Sequence, residues 1–507
     1  MRWAESVVHD AQTGLPRLSR ELAAAAGHPC PDRPLRIIQF GEGNFLRCFA
    51  GWMIDCANRT GVLDCGIAVV QPLACGTADL LREQDGLYTV ILKGLRDSTP
   101  YSEQQLITAV QRIINPYVQW RDFLDLAHVE SLRWFVSNTT EAGIVYSPCE
   151  MSVDRCPDSF PAKLTLLLYE RFRHFAASSR HGLQILPCEL NAANGRTLRE
   201  IVLRHIHEWR LGSGFERWVS DCNRFFDTLV DRVVPGYPRQ EAEQLERQLG
   251  YHDRLMVVGE AFHAWIIEDP HNATAELSLE KAGLAVKRVS DLAPYRERKV
   301  RILNGAHTGM VPAALLAGLE TVQQMVSHAT LGLLLRAMLL EEVIPQLALD
   351  PQETRLYAED VLARFSNPAI RHYLADIALN SVAKFSVRVA PSIVAYYRAH
   401  EALPPILCFS LAALITLYRA CSDSARRDGV VLYDACIRDD ARVVQTFGAA
   451  WDDFARQGDS RALVCSLLPM TFGDQVPPDG LAERVASLVQ RIARDGVSEV
   501  TRSLLVP

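Results

Sequence analysis

The stretch from Leu35 to Asn58 does most to limit what this chain can fold into. Leu35-Arg-Ile-Ile-Gln-Phe40 is an apolar run of strand length, and Gly41-Glu42-Gly43-Asn44 ends it. Phe45, Phe49, Trp52, Met53 and Cys56 then recur at helical spacing. Strand, glycine turn and helix form the opening unit of a dinucleotide-binding domain. The glycines let the backbone approach a pyrophosphate, which then rests on the helix N-terminus. Phe40, Gly41, Gly43, Asn44 and Phe45 are therefore candidate cofactor-binding residues. Two features depart from the usual pattern. Leu46 stands where a third glycine is expected, and Glu42 lies inside the turn, where it must point away from phosphate.

A second strand is expected over residues 66–70. It runs into Gln71-Pro72, without the acid that NAD enzymes often place there for the ribose 2′-OH. The residues alone leave NAD and NADP open. Further strands are expected over 87–92, 134–136, 183–186 and within 255–267. Helices are expected over 117–127, 162–175, 195–209 and 243–249. This alternation is that of an α/β fold with a parallel sheet. The loop after residue 136 holds Asn138, Thr139, Thr140 and Glu141, at the end of a strand where parallel sheets bind ligands. Asn138, Thr139 and Glu141 are candidate cofactor contacts; the alternative is a helix cap from Thr139 or Thr140. His205 and His207 lie two apart on one helix and cannot pair on a metal. Residues 1–34 are polar and proline-containing and read as an arm.

At 507 residues the chain exceeds one core and should divide into two or three domains. From about Tyr295 strand patterns become scarce. Helical periodicity runs through 310–319, 329–343, 353–365, 369–384, 406–421 and 481–493. The expected organisation is a Rossmann-type dinucleotide-binding domain over 1–290, followed by a mostly α-helical substrate and catalytic domain over 291–507. Hydrophobic residues at 49% against charged residues at 22% describe a folded chain. A net charge of -7 argues against nucleic acid and anionic membranes as partners. The 13 cysteines include no Cys-x2-Cys pair and read as free thiols in a reducing compartment, so no metal is expected. The N-terminus lacks the apolar core of a signal peptide, and no apolar run approaches the roughly 20 residues of a membrane span. A cytoplasmic location is expected.

The chemistry concentrates between Lys299 and His307, reading Lys-Val-Arg-Ile-Leu-Asn-Gly-Ala-His. A lysine exchanges a proton when burial or nearby cations lower its pKa, and Arg296, Arg298 and Arg301 flank this one. Asn304 and His307 can donate hydrogen bonds to an oxygen that gains negative charge. The three together suit metal-free interconversion of an alcohol and a ketone. On one ideal helix Asn304 and His307 share a face, but Lys299 would lie about 12 Å from His307 along the axis. A straight helix does not bring all three heads to one atom, and a capped, solvated helix start remains the alternative.

Lys299-x4-Asn304-x2-His307 resembles the signature of the mannitol dehydrogenase family of polyol-specific long-chain dehydrogenases. The similarity extends to Ile38–Arg47, Val136–Ile144 and Pro187–Leu190. It points in particular to the branch that interconverts D-tagaturonate and D-altronate in hexuronate catabolism. The resemblance implies NAD as cofactor and Lys299, Asn304 and His307 as catalytic residues. It implies substrate contacts from Asn191, from Asp231 and Arg232 of a Val-Asp-Arg motif, and from Arg364, His372 and Lys384, whose cations suit a carboxylate. The implied partner is a small sugar acid, and the implied state is a monomer or small homo-oligomer. Fructuronate (D-mannonate) and mannitol or arabinitol oxidoreduction remain open, as does an inactive NADH-binding sensor.

Overall fold

The computed structural model describes residues 14–96, 99–139, 143–367, 372–427 and 437–505. The chain divides into two compact units, Met1–Leu292 and Ala293–Pro507.

Unit 1 is built on a six-stranded parallel sheet: β1 Leu35–Phe40, β2 Gly66–Val70, β3 Val110–Ile114, β4 Trp134–Ser137, β5 Gln184–Pro187 and β6 Arg224–Phe225. Its order is β3-β2-β1-β4-β5-β6. The winding therefore reverses between β1 and β4, which pair directly, Phe40 opposite Ser137. Such a reversal opens a crevice outside the carboxyl ends of the strands. Side chains alternate across the sheet. Ile37, Ile67, Val69, Trp134 and Val136 face a layer containing Phe49, Trp52 and Met53. Ile38, Phe40, Ala68, Val70 and Phe135 face a layer containing Phe123, Leu164, Leu167 and Leu198. Both faces are covered, which is why these strands read as continuous apolar runs.

Two three-stranded sheets complete unit 1, in the orders Val257–Glu260, Tyr88–Arg96, Thr99–Ile107 and Val286–Val289, Ala264–Glu268, Thr228–Asp231. The strand expected over 87–92 thus exists but lies outside the main sheet. The N-terminal arm is a correction. Its described part forms the helix Arg20–Ala25, and Leu18 and Ala23 are buried against Leu87 and Leu106. Leu18 before the helix and Ala23 within it supply the apolar contacts, and Arg20 donates to the Val110 carbonyl at 2.8 Å.

Unit 2 is helical. At its centre Gly305–Leu316 and Pro405–Leu417 are apolar all round, as buried helices are. They pack closely: a Cβ on Gly309 would come within 3.3 Å of Ser410 Oγ and Met338 Sδ. The helix expected over 369–384 is instead two pieces, Leu374–Ile377 and Ser381–Arg388. They are separated at Asn380, whose φ of 53° is left-handed and ends any α-helix. No described helix is long and apolar enough to cross a membrane.

Candidate active site

In unit 1 a cleft of about 450 Å³ opens at the switch point. Gly41, Glu42 and Gly43 after β1, Pro72 and Leu73 after β2, and Asn138 and Thr139 after β4 line it, with Asp158 and Ser159 opposite. Gly41 has φ +134°, and a Cβ there would sit 3.0 Å from the Asn138 carbonyl oxygen, so only glycine fits. Gly43 differs. Its φ of -64° suits any residue, and a Cβ there meets nothing within 4 Å. Protein packing does not demand that glycine, whereas a ligand pressed against the backbone would. The residues present fit a dinucleotide.

The helix behind this turn is not regular. After Asn44–Leu46 it winds as a π-helix over Arg47–Gly51 and returns to α over Trp52–Arg59. A π turn carries an extra residue and takes carbonyls out of the i→i+4 pattern. The Arg47 carbonyl accepts from the Tyr88 hydroxyl at 3.1 Å, and the Cys48 carbonyl accepts from Arg232 Nη1 at 2.6 Å. Gly51 admits the Tyr88 hydroxyl, which would lie 2.3 Å from a Cβ. Arg47 folds back under the turn, donating to the Glu42 carbonyl and to Asn44 Oδ1. Leu46, in place of the third glycine, is a core residue.

Several expected contacts take a different form. The Phe40 ring is fully buried and stacks on Phe160 at 4.7 Å, so only its backbone borders the turn. Arg232 donates to Cys48 and Glu260 carbonyls and lies 4.2 Å over the Trp52 ring; what it touches is the π turn. Asp231, beside it, is buried at the end of its strand. Asn138 Nδ2 donates to the Cys188 carbonyl, and the Thr139 amide and hydroxyl both donate to Glu189 Oε1 at 2.9 Å. Glu189 thus clamps the β4 loop from β5. Phe45 is half-buried and stacks on Phe49. Asn191 follows β5 at its carboxyl end, and Glu141 lies outside the described residues. Glu42 is 7% exposed and accepts from the Thr77 amide; burial raises its pKa and so favours its neutral form beside the turn.

In unit 1 a buried lysine carried no signal in the sequence. Lys163 is fully buried, and its ammonium donates to the Pro72 and Asp158 carbonyls and the Tyr117 hydroxyl, at 3.3, 2.8 and 3.1 Å. It ties the wall after β2 to the wall before the helix Phe160–His174. It reads as one polar position in an apolar helix, which gives no signal.

In unit 2 the Lys299–His307 segment also contains a π turn. The helix Ala293–Lys299 passes into a π-helix over Val300–Asn304 and then into Gly305–Leu316. The Gly305 amide reaches the Val300 carbonyl, five residues back. In an uninterrupted α-helix Lys299 and His307 would be roughly 80° apart around the axis. With i→i+5 winding at about 4.4 residues per turn across the first five steps, they become roughly eclipsed, with Asn304 between them. The extra residue turns three positions that a straight helix splays onto one face.

His307 is 7% exposed and stacks on Phe365 at 4.2 Å, with His372 edge-on at 5.0 Å. Its Nε2 is sealed from solvent and has no protein partner among the described residues. Burial, then the charges of His372, Arg364, Arg388 and Lys384, push its pKa well below 6.5. The imidazole is neutral and can donate from one nitrogen. Lys384 Nζ donates to the Ile377 carbonyl at 3.0 Å, and burial lowers its pKa. Two of the arginines expected to act on Lys299 are engaged elsewhere: Arg298 with Glu353 at 2.9 Å and Arg301 with Glu297 at 3.1 Å. Arg388, which the sequence reading did not single out, belongs to this group and donates to Thr308 Oγ1 at 3.3 Å. Its spacing of four from Lys384 was the available signal. Among the described residues no group of three or more His, Cys, Asp or Glu is placed to hold a metal.

A reversed parallel sheet with a glycine turn at its switch point, followed in the chain by a helical unit presenting Lys, Asn and His on one face, defines a Rossmann-type dehydrogenase. The mannitol dehydrogenase Rossmann domain matches residues 35–281, and the mannitol dehydrogenase C-terminal domain matches residues 291–435. The chain belongs to the mannitol dehydrogenase family and is an oxidoreductase. It is 42% identical to the altronate oxidoreductase of Pectobacterium atrosepticum over 479 residues, covering 92% of this chain and 96% of that one. It is 42% identical to the altronate oxidoreductase of Klebsiella pneumoniae subsp. pneumoniae, covering 94% and 98%. Among solved structures, the ternary complex of Pseudomonas fluorescens mannitol 2-dehydrogenase with NAD and D-mannitol matches with a TM-score of 0.69 at 21% identity, over 97% of this chain and 100% of that one. Substrate-free D-sorbitol dehydrogenase matches with a TM-score of 0.74 at 20% identity, over 96% and 100%. These two likenesses concern the fold.

Proposed function

We propose that this oxidoreductase acts on sugar acids with NAD, interconverting D-tagaturonate and D-altronate in hexuronate breakdown in the cytoplasm. The observation that supports the reading is the π turn Val300–Asn304, whose winding turns the Lys299, Asn304 and His307 positions toward one face, with His307 Nε2 lacking a partner among the described residues. The names of the relatives support the sugar acid, and the cations around His307 support a substrate that brings a carboxylate.

NAD rather than NADP fits the cleft, because among the described residues that line it there is no Lys or Arg, and Glu42 and Asp158 are there. A 2′-phosphate would find acids and no counter-charge there. Gly41, Gly43 and the helix start at Asn44 hold the pyrophosphate through backbone groups.

In the direction of reduction, Lys299 gives its proton to the oxygen of the forming alcohol, and in oxidation it takes that proton back. Asn304 and the neutral His307 donate hydrogen bonds to the same oxygen as its charge grows. Nicotinamide chemistry supplies the hydride when the cofactor is bound. A positioned acid or base contributes about 10²–10⁴-fold, and an oxyanion donor roughly 2.7–4 kcal/mol. No metal is needed for this assignment.

NADH oxidation followed with D-tagaturonate, D-fructuronate and D-fructose side by side tests it. Tagaturonate is expected to give the highest kcat/KM; a higher value for fructuronate moves the enzyme to the mannonate reaction, and equal values for fructose remove the sugar-acid assignment. Stoichiometric zinc whose removal abolishes turnover would overturn the role of Lys299.

A further inference from the structure

We propose that Arg388 binds the substrate's carboxylate and so sets the preference for uronates over neutral ketoses. This rests on the sugar-acid reading above and names the residue that reading leaves open.

Several cations of this region of unit 2 have an acid nearby among the described residues. Arg298 pairs with Glu353 and Arg301 with Glu297. Asp376 acts on His372, Asp439 acts on Lys384, and Asp360 lies within the field of Arg364. Arg388 is different. Its hydrogen bond is to a neutral hydroxyl, Thr308 Oγ1, and burial alone perturbs it, with no carboxylate of the described residues acting on it.

A half-buried guanidinium without an acid is costly, because desolvation is not offset by a partner. An incoming carboxylate removes that cost. Arginine's planar fork presents five N–H donors, which suits two-point recognition of a carboxylate. One donor is occupied by Thr308, and that bond orients the fork.

Its position is also right. Thr308 follows His307 directly in the chain, and the Arg388 charge is felt at the His307 ring. The backbones approach closely here: a Cβ on Gly305 would lie 3.3 Å from the Arg388 carbonyl oxygen. Gly305 separates Asn304 from Ala306 and His307, so the end of the helix Ser381–Arg388 is seated against the catalytic segment itself. A sugar acid whose keto oxygen meets Asn304 and His307 has its carboxylate a few carbons away, within the span of an arginine side chain.

The test is steady-state reduction by wild type, Arg388→Met and Arg388→Lys. The substrates are D-tagaturonate and D-tagatose, the same ketose with a hydroxymethyl group in place of the carboxylate. Arg388→Met is expected to lower kcat/KM for tagaturonate on the order of 100-fold, as loss of one partner of a desolvated charge pair does, while tagatose changes by less than about twofold. Arg388→Lys should fall between, having charge without the fork. Inhibition constants for D-altronate and D-altritol should show the same contrast without turnover. Equal losses on both substrates would mean a structural role and would overturn the assignment, as would an unchanged value for tagaturonate. A wild type that does not prefer tagaturonate to tagatose would overturn the sugar-acid reading itself.

Discussion

Two π turns, one in each unit, show how the same irregularity serves different ends. In Arg47–Gly51 the displaced carbonyls are satisfied by the protein: Tyr88 takes one and Arg232 the other, while Arg47 braces the glycine turn from below. The glycine turn it braces, Gly41 to Gly43, is what lines the cleft. In Val300–Asn304 the extra residue instead turns the Lys299, Asn304 and His307 positions toward one face, and among the described residues His307 Nε2 has no partner and Arg388 no acid. A satisfied π turn is a scaffold for recognition by main-chain groups. An unsatisfied one is a place for side-chain chemistry.

That contrast can be broken most severely at His307. His307→Phe keeps the ring stack on Phe365 and removes the nitrogen. The expected loss in kcat is on the order of 100-fold or more, with little change in melting temperature. A large fall in melting temperature with wild-type kcat would place His307 in the scaffold class instead.

Gly51→Ala asks whether the first π turn is structural. The added methyl meets the Tyr88 hydroxyl and Gln39 Oε1. Overpacking of this kind costs about 1–3 kcal/mol, read by denaturant unfolding. Gly51→Ala combined with Tyr88→Phe should recover part of it.

Much of this was legible in the sequence. β1 and β2 fall where Leu35–Phe40 and Gly66–Val70 read as strands, because strands covered on both faces are mostly apolar, with Arg36 and Gln39 the polar exceptions in β1. The candidate motif residues of both units were chosen by residue type and spacing. The π turns were not legible, because hydrophobic periodicity near 3.6 is barely disturbed by one extra residue. The break at Asn380 was missed because apolar residues continue through it. Arg388 could not be separated from Arg364 or Lys384, since what distinguishes a cation is the acid beside it, and pairing belongs to the fold. Phe40 and Arg232 were assigned to ligands from their place in motifs; the Phe40 ring lies in the core, and Arg232 Nε and Nη1 donate to the Glu260 and Cys48 carbonyls.

Acid sensitivity sharpens the comparison further. Burial lowers the pKa of His263 to about 4, with Arg232 adding to the effect, and that of His307 also falls. Each folded-state pKa lies below the unfolded value near 6.5, so the unfolded chain binds more protons and stability is lost as pH falls below about 6.5. For His263 the loss reaches about 2 kcal/mol at pH 5. His263→Gln should flatten the fall in melting temperature between pH 6.5 and 5; an unchanged slope would put the proton elsewhere.

The smallest expected effect lies at Gly43. Gly43→Ala should leave the melting temperature unchanged, since nothing in the protein meets the methyl, and raise KM for NADH about tenfold, or about 1.4 kcal/mol of close backbone contact. Lys163→Met should act in the same sense, through the wall that holds Pro72.

The proposed chemistry depends on Lys299 moving the proton, and the pH–rate profile of Lys299→Ala against wild type tests this most directly. A kcat lowered about 10²–10⁴-fold, with the lysine's limb of the profile gone and NADH binding intact, is the expected result. Wild-type kinetics in the variant across the whole pH range would contradict it.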